Sequence, residues 1–184
     1  MDIFTLEHSR RAYRADFVLY ILAVGMLVAF LLLDGPRAKW PEIAGFALLG
    51  LAGWTGIEYA LHRFVLHGMQ PFKRWHAEHH DRPAALICTP TILSATLIFT
   101  LVFLPSLLWA SFWSACALTL GVLTGYLAYA VTHHATHHWR ADSPWLKRRK
   151  RWHAQHHHQV NQPGCFGVTS AFWDHVFASA GPGR

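Results

Sequence analysis

The sequence predicts an all-α integral membrane protein: four transmembrane helices in two hairpins, with a histidine-rich helical cap on the cytoplasmic side. Three observations predict it. Of 184 residues, 53% are hydrophobic and 14% charged, more apolar surface than one soluble core of this length requires. The apolar residues come in long uninterrupted runs. Fifteen histidines, several-fold above ordinary usage, gather beside those runs, thirteen of them between His62 and His158.

The first run, Phe17 to Leu33, is seventeen residues long. At 1.5 Å per residue that is about 26 Å of helix, close to a hydrocarbon thickness of about 30 Å. Arg10, Arg11 and Arg14 precede it, but Asp34-Gly35-Pro36-Arg37 offers no small-residue cleavage pattern, so the segment is expected to be retained. A second run extends from Ile43 to Leu61, with Glu42 and Glu58 near its ends. Ala84 to Val131 holds no charge and is too long for one crossing. Pro105 and Ser106, followed by Trp109 and Trp113, mark a turn at its middle. Both termini then lie on one side.

Fourteen of the sixteen Lys and Arg residues fall on that side: Arg10, Arg11, Arg14, Arg63, Lys73, Arg74, Arg82, Arg140, Lys147 to Arg151, and Arg184. Arg37 and Lys39 fall on the other, so the positive-inside rule puts the termini and every histidine cluster in the cytoplasm. The net charge of +6 flanks apolar runs instead of lining a groove, which argues against nucleic acid as a partner. Lys147 to Arg151 reads as a stretch snorkelling toward lipid headgroups. Cys88, Cys116 and Cys165, without a CxxC pair, exclude a disulfide scaffold and a thiolate zinc ribbon.

The chain repeats itself. Lys73-Arg74-Trp75-His76-Ala77-Glu78-His79-His80 and Lys150-Arg151-Trp152-His153-Ala154-Gln155-His156-His157 differ at one position of eight. Each copy follows a hairpin ending in a histidine pair, His62 and His67 or His133 and His137. In a helix, residues three and four apart share a face, so each HxxHH is a three-tooth imidazole comb. Ser143-Pro144 predicts the start of the second comb's helix, and Pro71 and Pro83 bracket the first. His133 and His137 share a face. His62 and His67, five apart, diverge by about 140° on an ideal helix, so they reach different metals or the helix ends between them.

Five histidines from each half make ten, too many for one ion and suited to two metals with about five nitrogens each. Imidazole suits iron, copper, zinc and nickel alike. His134, His138 and His158 each adjoin a better-placed neighbour and fit a surface or supporting position as well as ligation. His8 and His175 read as interfacial side chains. Glu58 and Glu78 are candidates to hydrogen-bond ligand N–H groups, with a solvated face the equal alternative for Glu78.

The ordered motifs are specific as a set. They are Glu58-Tyr59-Ala60-Leu61-His62-Arg63-Phe64-Val65-Leu66-His67, HxxHH at 76 to 80, Tyr129-Ala130-Val131-Thr132-His133-His134-Ala135-Thr136-His137, HxxHH at 153 to 157, and Cys165-Phe166-Gly167-Val168-Thr169-Ser170 with Trp173-Asp174. Over residues 55 to 176 the chain resembles the fatty acid hydroxylase/sterol desaturase superfamily, and within it the fatty acid 2-hydroxylases. The resemblance implies one membrane-embedded hydroxylase domain over residues 1 to 184. It implies an all-histidine centre of two metal ions, iron in the working enzyme, with zinc able to take the same sites in a purified form. O2 would be co-substrate, with one oxygen atom inserted into a C–H bond of a lipid, a fatty acyl chain above all. Carried over by motif, the catalytic metal ligands are His62, His67, His76, His79, His80, His133, His137, His153, His156 and His157. The segment from Phe166 to Ser170 with Trp173-Asp174 would close the site from the cytoplasm or dock an aromatic tail at the interface.

Ala130 stands where many relatives carry an acidic residue. The interval from His67 to His76 is shorter than in eukaryotic 2-hydroxylases and closer to carotenoid hydroxylases, which keeps a carotenoid or sterol-type substrate as the alternative. Only a short arm precedes the first span, with no haem domain of the cytochrome b5 kind, so electrons are expected from a separate donor protein. A non-enzymatic metal-binding membrane protein is a further alternative, disfavoured because the spans lack polar ligands at mid-bilayer. Loss of activity is expected as imidazoles protonate below about 6.5.

Overall fold

The computed structural model describes residues 7–158 and 163–181, so Arg184 lies outside the described residues. Among these the chain is helical, with a single isolated backbone bridge between Glu7 and Ile87. The helices are α1 (Arg10–Leu33), α2 (Trp40–Ala60), α3 (Phe72–Asp81), α4 (Thr91–Ile98), α5 (Phe112–His138), α6 (Pro144–His158) and α7 (Phe172–Val176). Three stretches are long and apolar enough to cross a membrane: Arg10–Leu33, Arg37–Leu66 and Phe112–His138. The third expected span is shorter. α4 continues through a wide turn, Phe99–Phe103, into Leu104–Ser106, and the apolar helix Thr91–Ser106 covers about 24 Å at 1.5 Å per residue. Pro90 delays its start from the expected Ala84, because a proline disfavours the helical conformation of the residue before it, here Thr89. The wide turn just before Pro105 supplies the room its ring needs against the preceding turn of helix.

The chain forms two compact units, with two of the three boundaries inside α2 and α5 and the third between Ala85 and Leu86. The first comprises Met1–Trp54 and Leu86–Leu127. Its helices approach through glycine. A Cβ on Gly50 would lie 2.2 Å from the Leu118 carbonyl oxygen, and one on Gly121 would lie 2.1 Å from that of Ala47, so α2 and α5 touch backbone to backbone. Gly125 makes the seat for the Trp54 indole, which meets Tyr126 edge to face at 5.4 Å. Several polar side chains in this unit bond to one another, as an apolar setting demands. The Tyr20 hydroxyl lies 2.7 Å from Ser94 Oγ, Thr91 donates to Asp16, and Ser114 donates to Glu42.

The second unit comprises Thr55–Ala85 and Ala128–Arg184 and carries all ten expected ligands. Here α6 starts at Pro144 as expected, with Ser143 Oγ accepting from the Leu146 N–H at 3.1 Å, and α3 starts directly after Pro71. One expectation fails. Lys147 to Arg151 is not uniformly a headgroup-facing stretch, because Arg149 is buried with its guanidinium over the Trp152 ring, and Lys150 Nζ donates to the Trp139 carbonyl at 2.6 Å. Arg149 alone faces inward, while Lys147, Arg148 and Arg151 are exposed.

The glycine contacts generate a prediction. Gly121→Ala forces a Cβ into the Ala47 carbonyl and should destabilise the protein by about 1–3 kcal/mol. Gly53→Ala, whose Cβ meets nothing within 4 Å, should leave stability unchanged. Thermal unfolding in detergent, followed by size-exclusion recovery, distinguishes the two.

Candidate metal centre

The geometry begins with a departure from regular helix. After Ala60 the backbone of α2 widens into a π-type turn over Leu61–Leu66, and the His67 N–H donates to the His62 carbonyl at 3.2 Å. An i→i+5 bond brings residues five apart back onto one face. The expected divergence of His62 and His67 is therefore absent: their rings lie 5.3 Å apart. They join one group.

That group is His62, His67, His76, His80 and His156, whose donor nitrogens all lie within 4.8 Å of one another. A second group, His79, His133, His137 and His153, is equally tight. Each comb is thus divided: adjacent teeth such as His79 and His80 point to different groups. His157 stands at the edge of the second group, its Nε2 3.1 Å from that of His153 and its ring 4.9 Å from that of His137. The internal repeat explains the pattern. Each hairpin pair gathers the first and fifth positions of its own comb and the fourth position of the other. His80 and His157 are equivalent in this scheme, and their rings stack at 4.2 Å.

The nitrogens converge in more pairings than hydrogen bonding can account for. His76 Nε2 lies 3.0 Å from that of His62 and 3.1 Å from that of His80; His153 Nε2 lies 2.8 Å from that of His137 and 3.1 Å from that of His157. An imidazole nitrogen has one in-plane hydrogen or lone pair, so it cannot serve two such partners. Two donors at right angles about a metal with bonds of about 2.1 Å would sit about 3.0 Å apart. The residues fit a cation in each group.

Burial keeps these imidazoles neutral. It is the largest cause that pulls His67 down to about 4, His79 to about 2 and His157 to about 3, with neighbouring histidines adding to the effect. His76, His80, His153 and His156 are lowered for the same reason. Protonation therefore sets in well below the expected value of about 6.5, because that figure belongs to solvated imidazole.

Two rings are oriented from behind. His62 Nδ1 donates to the Phe166 carbonyl at 2.5 Å and His156 Nδ1 to the Gly164 carbonyl at 2.7 Å, which leaves each Nε2 lone pair facing the group. The loop supplying both carbonyls is tied to two carboxylates. Asp174, fully buried, accepts from the Phe166 and Gly167 N–H groups, each at 2.8 Å. Glu58 accepts from the Val168 and Thr169 N–H groups at 2.7 and 2.9 Å and from Thr169 Oγ1 at 2.5 Å. Glu58, expected on ligand N–H groups, thus holds the loop that carries the acceptors. Gly167 has no room for a Cβ, which would lie 1.8 Å from the Ser170 carbonyl oxygen, and Cys165 takes the left-handed φ of 57°. Behind the loop, Trp173 Nε1 donates to Thr55 Oγ1 at 3.0 Å.

The remaining candidates stand apart. His134 and His138 stack on each other at 4.5 Å and belong to neither group, and His158 is exposed. Glu78 is half-exposed and pairs with Arg82 at 3.3 Å. His175 lies against Trp152, and His8 buries its Nε2. A cleft of about 500 Å³, lined by His80, Thr136, His137, Lys150, His153 and His157 among others, opens beside the histidines.

Comparison with known proteins follows the same residues. The fatty acid hydroxylase family model matches residues 47–179. A dihydroceramide fatty acyl 2-hydroxylase of Arabidopsis thaliana is 35% identical over 151 residues, covering 76% of this chain and 62% of its own length. A ceramide very long chain fatty acid hydroxylase of Saccharomyces cerevisiae is also 35% identical, covering 71% of this chain and 36% of its own. The solved structure of full-length scs7p, with only its hydroxylase domain visible, superposes with a TM-score of 0.77 at 26% identity, covering 91% of this chain and 66% of that one. The chain thus spans less than two thirds of the length of these relatives. Both the motif order and the match over most of the chain lead to one conclusion: this chain belongs to the fatty acid hydroxylase family.

Proposed function

We propose that the chain is a membrane-embedded, O2-dependent hydroxylase that inserts oxygen into a C–H bond of a fatty acyl chain at a centre of two metal ions, with residues 1 to 184 working as one hydroxylase domain. One observation carries the reading: two sets of histidine nitrogens converge at the spacing of metal donors. His62, His67, His76, His80 and His156 would hold one ion, and His79, His133, His137 and His153 with His157 the other. The repeat supports His157, which occupies in its comb the position of His80. Iron is the proposed metal, since bound iron supplies the one-electron chemistry that O2 cleavage requires.

The protein's own part is placement. Neutral, buried imidazoles present lone pairs inward, and their surroundings limit water at the reacting centre. The acyl chain is proposed to enter from the bilayer, with Thr91–Ser106 completing a fourth, short crossing. Lys and Arg asymmetry supports a cytoplasmic side for the termini and the histidines, where a separate electron-donor protein would reach them. The substrate class rests on the relatives, which are named for hydroxylation of fatty acyl and ceramide lipids.

Lipid mass spectrometry of cells expressing the protein under isotopically labelled O2 tests this. A labelled hydroxy fatty acid should appear with the intact protein and vanish with His156→Ala. A labelled carotenoid would redirect the substrate assignment, and no labelled lipid at all would defeat the hydroxylase reading.

Acid should remove metal late. A histidine whose folded pKa lies below its solvated value binds fewer protons folded than unfolded, so stability of the metal-free chain falls as pH drops below about 6.5. The donors themselves stay neutral until the pH approaches about 4 for His67 and about 3 for His157. Dialysed protein should therefore retain both ions at a pH about one unit below 6.5 and lose them as the pH falls through the range of these values. Metal analysis across that range checks it; release beginning above 6.5 would contradict the neutral, buried donor set.

A further inference from the structure

The loop Gly164–Ser170 connects two features that the proposed reaction does not by itself require: a fully buried aspartate and an unequal support of the two histidine groups. His62 lies on the π-type turn after α2 and His156 on α6, and their Nδ1 atoms are both anchored on this one loop.

The connection runs through single peptide groups. The carbonyl that accepts from His62 belongs to the same peptide as the Gly167 N–H, which donates to Asp174 Oδ2 at 2.8 Å. The carbonyl that accepts from His156 shares its peptide with the Cys165 N–H, which donates to the Ser179 carbonyl at 2.8 Å. Ser179 in turn donates from Oγ to Asp174 Oδ1 at 2.8 Å and from its own N–H to the Asp174 carbonyl at 2.8 Å. Both routes end on Asp174. A carboxylate accepting from a peptide N–H polarises that peptide and strengthens its carbonyl as an acceptor, so the imidazole behind it becomes a better donor to a cation. Two rings of the other group lack such backing: Nδ1 of His79 and Nδ1 of His153 are buried with no hydrogen-bond partner among the described residues.

We propose that Asp174 is a positioning residue that acts through the peptide of Phe166 and Gly167 and the strand of contacts at Ser179 to fix His62 and His156, making the group of His62, His67, His76, His80 and His156 the tighter of two metal sites. The inference rests on the reading that the two groups hold metals. Asp174→Asn keeps the size of the side chain but turns an NH2 toward one of the two N–H donors, breaking one anchor while leaving the second group untouched.

The test uses the full chain in detergent, loaded with Zn2+, which is redox-inert, and titrated with chelators of increasing strength while bound zinc is counted. Wild type should release its two ions in two steps. His67→Ala should abolish the late, tight step and His137→Ala the early one. Asp174→Asn should weaken the tight step by about 10–100-fold and leave the early step in place. If both steps shift together, or neither shifts in protein that retains its helical circular dichroism, the proposal is overturned. Should Asp174→Asn fail to fold, Ser179→Ala removes one side-chain bond to Asp174 and keeps the backbone donors; it should move the tight step alone and by less, and an unmoved step overturns the proposal. A wild type that binds one ion defeats the two-metal reading, and this inference then survives only if His67→Ala, and not His137→Ala, removes that ion.

Discussion

Imidazole nitrogens about 3 Å apart set the terms for everything around them. Protonated rings at such spacing would repel, and neutral rings facing lone pair to lone pair still repel unless something positive lies between them. The rest of the second unit answers that constraint. Burial removes the protonated forms, and four separate helical segments each contribute only two or three rings. Two of the rings, His62 and His156, are also held by carbonyls behind them, so that the cost of convergence is not left to the histidines alone.

What stands behind them is mostly backbone. Four successive N–H groups, from Phe166 to Thr169, donate to two carboxylates, while carbonyls of the same loop accept from two imidazoles. A loop with few helical hydrogen bonds to satisfy its own polar groups would be costly to bury, and here both sides of it are used. Gly167 is required because Ser170 and Asp174 crowd its α-carbon, and the left-handed Cys165 turns the chain into position. The first unit meets a different demand, satisfying side chains away from water, and does so with close glycine contacts and short hydroxyl-to-hydroxyl or hydroxyl-to-carboxylate bonds.

The histidines were legible because their chemistry is local: HxxHH on a helix started by Ser143-Pro144 needs no long-range information, and His133 with His137 follows from helical spacing alone. Long-range pairing was not legible. Glu58 and the residues it holds are about 110 positions apart, and no periodicity links them. The boundary of the short helix is not legible in hydropathy, which continues through Ala84 to Pro90 while Pro90 sets the start of the helix. The shared face of His62 and His67 is not legible, because side-chain spacing does not reveal which carbonyl a backbone N–H will choose.

That choice has a consequence for how the two halves are compared. A single extra residue accommodated by the wide turn makes His62 and His67 five apart where His133 and His137 are four apart. Their stations relative to the two combs are nevertheless the same. One added residue between the paired histidines is thus absorbed in backbone winding, and the correspondence of the halves, plain in the repeated combs, extends to the pairs that precede them.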